Sequence, residues 1–257
     1  PAEVVIPQPA FEVFEVNAHL MDARVVAVAP HPDFSFALDE VVAAITPRTR
    51  AVIVTNPNNP TGVPVPPASI RTIARAVPPG AVVLVDEAYI HFGGETFVPE
   101  LGGYPNVVVG RTFSKAYGLA GLRIGLLAGH PATLAPMRQV VPVYSINVAA
   151  AVAAVAALAD RAYTQEYLRQ VGESKALLYA ACARWGLPYW PSAANFVLVR
   201  TGADTARVLE GALERGVYLR DRSSEPGCEG CIRVTTGVLE HTQRIVAVME
   251  EILCGGQ

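Results

Sequence analysis

Three short, unbroken apolar runs constrain this chain most: Ala51-Val-Ile-Val-Thr55, Ala81-Val-Val-Leu-Val85 and Val107-Val-Val109. None alternates with polar residues, so each must bury both faces of a strand, as strands do in a parallel sheet covered by helices. The stretches between them can supply the helices. Apolar residues recur at helical spacing over residues 11–21, and shorter helices fit residues 38–45 and 67–77, while residues 4–6 and 24–29 read as further strands. The expected class is α/β with a mostly parallel sheet. Ligands of such sheets sit beyond the carboxyl ends of the strands. The polar clusters 56–62, 86–89 and 111–115 all follow strands, so they should converge on one crevice.

Beyond Pro142 the character changes. Residues 148–159 form an alanine-rich helical pattern that suggests close helix packing. A long helix over 161–185 follows, with Tyr163, Tyr167, Val171, Leu178 and Cys182 on one stripe read as core. Strands are expected over 195–199, 217–220 and 232–235, and helices over 204–215 and 241–253. The organisation predicted is a large domain over residues 1–145 and a smaller α+β domain over 146–257.

Charge and cysteine usage exclude several classes. Twenty basic residues against twenty-three acidic ones leave a formal charge of −3, with no basic stripe suited to a phosphate backbone, so nucleic acid is not an expected partner. The apolar runs are too short to span a bilayer, and the chain opens at Pro1 without a basic-then-apolar leader, so the expectation is a cytoplasmic protein without a membrane partner. Four cysteines make no disulfide framework in a chain this long. Cys228-x-x-Cys231 lacks a second close pair, and zinc would need Cys182, Cys254 and His241 to converge from unrelated segments; no metal is expected.

Chemistry concentrates in Arg111-Thr-Phe-Ser-Lys115-Ala-Tyr-Gly-Leu-Ala-Gly-Leu-Arg123, a connector between the run ending at Val109 and the run Ile124-Gly-Leu-Leu-Ala128, both expected to be buried strands. Lys115 is one of only two lysines among twenty basic residues. A guanidinium stays charged, whereas a desolvated amine can become a nucleophile toward a carbonyl. A solvated loop lysine is the plainer alternative. Asp86 emerges from a buried strand, where an unpaired charge is costly, so it needs a cation. That cation could be magnesium, as in a nucleotide hydrolase, or a protonated ring nitrogen; alternatively Asp86 only caps the next segment. No Gly-x4-Gly-Lys-Ser/Thr loop accompanies it, which removes the hydrolase reading. The loop Asn56-Pro-Asn-Asn59-Pro-Thr-Gly62 suits a side-chain amide held at a strand end, though a plain turn would look similar. Thr112, Ser114 and Arg123 place two hydroxyls and a guanidinium around Lys115, a plausible phosphate cradle.

Together, Asn59-Pro-Thr-Gly62, Asp86-Glu-Ala-Tyr89 and Ser114-Lys115 with Arg123 resemble the fold-type I pyridoxal-phosphate aminotransferases, whose large domain is a three-layer α/β unit. More narrowly, the 111–123 segment, Leu219-Arg-Asp-Arg-Ser223 and Cys231-Ile-Arg-Val-Thr-Thr-Gly237 resemble the histidinol-phosphate aminotransferase subfamily. The resemblance implies pyridoxal 5′-phosphate held covalently by Lys115, which also moves protons as general acid-base. It implies Asp86 on the pyridine nitrogen, Tyr89 and Asn59 on the ring's phenolic oxygen, Phe11 stacked on the ring, and Thr112, Ser114 and Arg123 on the cofactor phosphate. Arg233 would take the substrate carboxylate in one half-reaction and the substrate phosphate in the other. Arg220 would add a second guanidinium, unless Arg220-Asp-Arg222 is merely a solvated charge cluster. Asn195 would lie near the substrate, or simply cap a buried strand.

The implied reaction exchanges an amino group between glutamate and imidazole-acetol phosphate in histidine biosynthesis, with small-molecule substrates and a homodimer. Aromatic amino acid transamination, threonine-phosphate decarboxylation and a catalytically silent fold are the alternatives. The resemblance also carries a departure: Pro1-Ala-Glu-Val-Val-Ile6 matches an interior strand of the large domain. The family's N-terminal arm, first strand and helix lack counterparts here, so a fragment that binds cofactor weakly by itself is expected.

Overall fold

The computed structural model describes residues 1–255; the last two residues of the expected small domain lie outside them. The continuous apolar runs become strands of one six-stranded sheet: β1 (Glu3–Pro7), β2 (Arg24–Val28), β3 (Thr49–Thr55), β4 (Val82–Asp86), β5 (Val107–Thr112) and β6 (Gly125–Gly129). Their order is β2-β1-β3-β4-β5-β6. All neighbours run parallel except β5 and β6. Between them lie helices α1 (Val13–Leu20), α2 (Leu38–Ala43) and α3 (Pro67–Ala76), and after β6 comes α4 (Pro131–Gln139).

Strand alternation divides the sheet's side chains between two faces. One face, with Val52, Val54, Val83, Val85, Val107 and Val109, packs against Val41 of α2 and Ile70 and Ile73 of α3 in a core closed to water. The opposite face carries Leu84, Asp86 and Gly110 toward a cleft, with Phe14 of α1 and Leu134 and Met137 of α4 on its far walls.

The remainder comprises α5 (Val148–Ala159), α6 (Arg161–Trp185), β7 (Phe196–Arg200), α7 (Thr205–Glu214), β8 (Arg220–Asp221), β9 (Cys231–Thr235) and α8 (Leu239–Cys254). β7, β9 and β8 form an antiparallel sheet in that order. Leu178 of α6, Val208 and Ala212 of α7 and Met249 of α8 build a second core against it.

Several expectations need correction. The run at 124–128 is an antiparallel strand with no partner on its outer side among the described residues, and its Leu126 and Leu127 are 46% and 50% exposed. The apolar stripe of α1 leaves Val13, Val16 and Leu20 in water and buries Ala18. On α6, Val171, Leu178 and Cys182 enter the core, but Tyr163 at the first turn is exposed and stacks on Tyr167. On α5 only Ala150 and Ala154 are buried, so close packing involves one side of that helix. The strand expected over 217–220 shrinks to β8, because Val217 turns into the core instead of joining the ladder.

Candidate functional site

β4 and β5 set the site. Asp86 is the last residue of β4, paired in register with Gly110, so no side chain from β5 covers its carboxylate. One carboxylate oxygen accepts the Ala88 N–H at 3.0 Å. The capping reading is therefore half right; the second oxygen has no hydrogen-bond partner among the described residues, and Asp86 lines the cleft. Burial pushes its carboxyl up to about 6 from an ordinary 3.8, against the opposing pull of the Ala88 N–H and the positive charge of Lys115. A carboxylate held this way lacks a full cationic partner.

The cleft measures about 670 Å³, and Phe11, Thr112 and Arg123 stand on its walls with Asp86. Phe11, at the mouth of α1, is 42% exposed and meets Phe14 edge-on. Arg123 sits in the left-handed region at φ 54° and donates to the Ala120 carbonyl at 2.9 Å, its other guanidinium N–H groups having no partner among the described residues. The Thr112 hydroxyl accepts the Ser114 N–H at 3.0 Å, which ties the two hydroxyl residues into one turn ahead of Lys115.

Beside this wall lies a second group. The half-buried Lys115 holds its ammonium 5.2 Å from the centre of the buried Tyr89 ring. The solvated-loop reading of Lys115 does not describe that position. Tyr89 meets Phe196 edge-on at 5.0 Å, and the Arg233 guanidinium lies over the same Phe196 ring at 5.0 Å. Arg233 also donates to the side-chain oxygen of buried Asn59, so the Asn59 amide nitrogen is turned away from it and kept available as a donor. Lys115, Tyr89, Asn59 and Arg233 thus share one neighbourhood, reached from three strand ends and β9.

Arg220 and Arg233 face each other as a cross-strand pair of β8 and β9. Burial, then the neighbouring charges of Arg222 and Arg220, pull the Arg233 guanidinium below its ordinary proton affinity. The 220–222 cluster divides: Arg220 is exposed and makes no ion pair among the described residues, whereas Arg222 is partly buried, pairs with Glu225 and reaches Glu12 at 3.3 Å. Asn195 gives its carbonyl to the Thr236 N–H at 2.8 Å, but its side chain caps nothing among the described residues.

Two features escaped sequence reading. Glu87 is fully buried, pairs with Arg111 at 2.9 Å and accepts from the Thr96 hydroxyl and the Phe97 N–H. It sits between Asp86 and Tyr89 and pins their turn to β5; adjacency to Asp86 on alternating faces was the available signal. Glu87→Ala, which leaves Arg111 without its carboxylate, is expected to cost about 3 kcal/mol in urea unfolding. Phe196 touches both Tyr89 and Arg233, whereas its sequence setting marks it only as a strand residue.

Cys228 and Cys231 are buried free thiols, with Cys228 pushed up to about 12 by burial. Among the described residues no three His, Cys, Asp or Glu gather as metal ligands, and no helix is long and apolar enough to cross a membrane.

Comparison with known proteins is consistent across the chain. A model of the aminotransferase class I and II family matches residues 2–248. The histidinol-phosphate aminotransferase of Symbiobacterium thermophilum is 39% identical over 255 residues, covering 98% of this chain and 70% of that protein. Histidinol-phosphate aminotransferase 2 of Ralstonia nicotianae is 41% identical over 265 residues, covering 97% of this chain and 68% of that protein. The structure of the Sinorhizobium meliloti histidinol-phosphate aminotransferase, in complex with pyridoxal-5′-phosphate, superimposes with a TM-score of 0.89 at 28% identity, covering 99% of this chain and 71% of that one.

Proposed function

The chain belongs to the class I and II aminotransferases, and from that premise we propose that it exchanges an amino group between glutamate and imidazole-acetol phosphate, the histidinol-phosphate step of histidine biosynthesis. The carrying observation is the Arg220–Arg233 pair. Two arginines paired directly opposite on adjacent strands bring like charges onto one face, a repulsion that a bound anion would offset. A phosphate dianion answers that charge better than a single carboxylate, and it favours a phosphorylated substrate over an aromatic amino acid.

The cofactor is pyridoxal 5′-phosphate, and the residues present fit it. Asp86 offers an unpartnered, desolvated carboxylate oxygen to a protonated ring nitrogen. Lys115 would hold the cofactor covalently, Tyr89 and Asn59 would donate to its phenolic oxygen, Phe11 would lie on its ring, and Thr112, Ser114 and Arg123 would bind its phosphate. When bound, the cofactor supplies an electron sink for charge developing at the substrate's Cα. The chain's own residues do the rest. The Lys115 amine takes the proton from Cα and returns one as general acid. Arg233 orients the substrate carboxylate or phosphate, Arg220 joins it for the phosphate, and Asn195 borders the substrate.

A large cofactor-binding domain over residues 1–145 and a small domain over 146–257 would place the substrate between them. The expected setting is cytoplasmic. A homodimer is supported by apolar side chains left in water at Val140, Val143, Tyr144, Val148, Val152 and Val155, which a second copy would cover.

Arg220→Ala tests the reading. It should lower kcat/KM for histidinol phosphate roughly 10- to 100-fold while changing phenylalanine and glutamate turnover less than about threefold. Half-reaction rates with histidinol phosphate, phenylalanine and threonine phosphate compare the substrates in the parent chain. Equal losses on phosphorylated and unphosphorylated donors would remove the phosphate role and with it the proposed substrate.

A further inference from the structure

The second of the two lysines has no place in the chemistry above. Lys175 projects from α6 and is half-buried, and its ammonium meets no carboxylate among the described residues. It donates to the Ser192 carbonyl at 2.9 Å and lies 3.5 Å from the Phe92 carbonyl. Burial lowers the amine from its ordinary proton affinity. An ammonium placed where only carbonyls receive it gives up hydration for a directional role.

Those two carbonyls belong to different parts of the fold. Phe92 follows the Asp86–Tyr89 turn of the six-stranded sheet, and Ser192 opens the segment that leads into β7. One turn further along α6, the Tyr179 hydroxyl accepts the Ser192 N–H at 2.8 Å. The segment is held on its far side as well. The Ala193 N–H donates to the Gly62 carbonyl at 2.8 Å. Gly62, at φ 75°, lies so close that a Cβ there would collide with the Ser192 side chain. Residues 192–195 are therefore gripped between α6 and the 56–62 loop, and the next residue, Phe196, touches both Tyr89 and Arg233.

We infer that Lys175 is a positioning residue, fixing the 192–195 segment so that Phe196 sets Arg233 against Asn59 and Tyr89. It acts through that segment and touches no substrate. The inference rests on the site being the transaminase cleft proposed above, and it deepens that reading by naming what places the substrate-anchoring arginine.

In the holoenzyme, Lys175→Met should raise KM for the amino donor about tenfold while kcat stays within about twofold. Amide exchange at Ala193 and Ala194 should quicken in the same variant, since their N–H groups bond Gly62 and the Ser192 hydroxyl. Lys175→Arg should recover most of both effects, because the open cleft of about 460 Å³ beside Lys175 has room for the larger head. Unchanged KM and unchanged exchange in Lys175→Met would overturn the inference. So would a joint fall of kcat and thermal stability that Lys175→Arg fails to reverse, which marks a packing residue only. Exchange is read without substrate, so a parent chain lacking transamination sinks the functional reading, while the Lys175 inference is still decided by the exchange result.

Discussion

Lys115→Ala should leave a folded chain that exchanges no measurable amino group, a loss on the order of 10⁴ or more, because one substitution removes the residue proposed as both covalent anchor and general acid-base. The fold should survive it. Lys115 is half-buried, makes no hydrogen bond or ion pair among the described residues, and rests against the Tyr89 ring, so truncation leaves no buried partner unsatisfied. Its charge nevertheless opposes the burial of Asp86. Without it, the Asp86 carboxyl should titrate above its present value of about 6, a change that nuclear magnetic resonance of the labelled carboxyl would follow. Only two lysines compete for a carbonyl reagent. Borohydride reduction of the loaded parent chain, followed by peptide mass analysis, should therefore place the added mass on the Lys115 peptide. Mass on the Lys175 peptide instead, or turnover retained in Lys115→Ala, would end the assignment.

How much of this was legible beforehand follows from the range over which each signal acts. The β-branched runs at 51–55, 81–85 and 107–109 became β3, β4 and β5, because a strand buried on both faces needs apolar residues at every position and little else satisfies that pattern. Asp86, Tyr89, Lys115 and Asn59 come close because Asp86 ends a strand of one sheet and the other three follow strands of it, which is a topological consequence of the α/β order. Position at a sheet edge left no comparable trace: Leu126 and Leu127 have core composition and stand in water. The helix α4 has no counterpart among the sequence expectations, and two prolines, Pro131 and Pro136, fall within it. Pro131 in fact starts the helix at a position where its missing N–H costs nothing, and Pro136 lies in a helix of only nine residues. The roles of Arg222, Glu87 and Lys175 depend on partners far along the chain, or on main-chain carbonyls, and neither produces a periodic pattern.

Asp86→Asn should separate stability from activity, since the two pull this carboxylate in opposite directions. Its pKa in the folded chain is pushed up to about 6 from 3.8, with burial the first cause. An acid raised by folding binds protons more tightly in the native state. Its contribution is therefore undiminished below the unfolded value, declines as pH rises toward about 6, and levels off above that. At about 1.4 kcal/mol for each pH unit between the two values, the penalty carried at pH 7 is roughly 3 kcal/mol. Asparagine keeps the shape and the Ala88 hydrogen bond without the charge. The cofactor-free Asp86→Asn chain should then unfold at higher denaturant than the parent at pH 7, by up to that amount, and close to the parent at pH 4. Amino exchange should meanwhile fall about 10³-fold, the scale on which a preorganised electrostatic partner is lost. Cofactor affinity supplies the linked measurement: in the parent it should strengthen as pH rises through about 6, because the carboxylate is the form that pairs with a protonated ring nitrogen, and in Asp86→Asn it should lose that slope. A variant no more stable than the parent at pH 7 would mean that Asp86 is already satisfied within the chain, and a satisfied carboxylate has nothing to offer the ring.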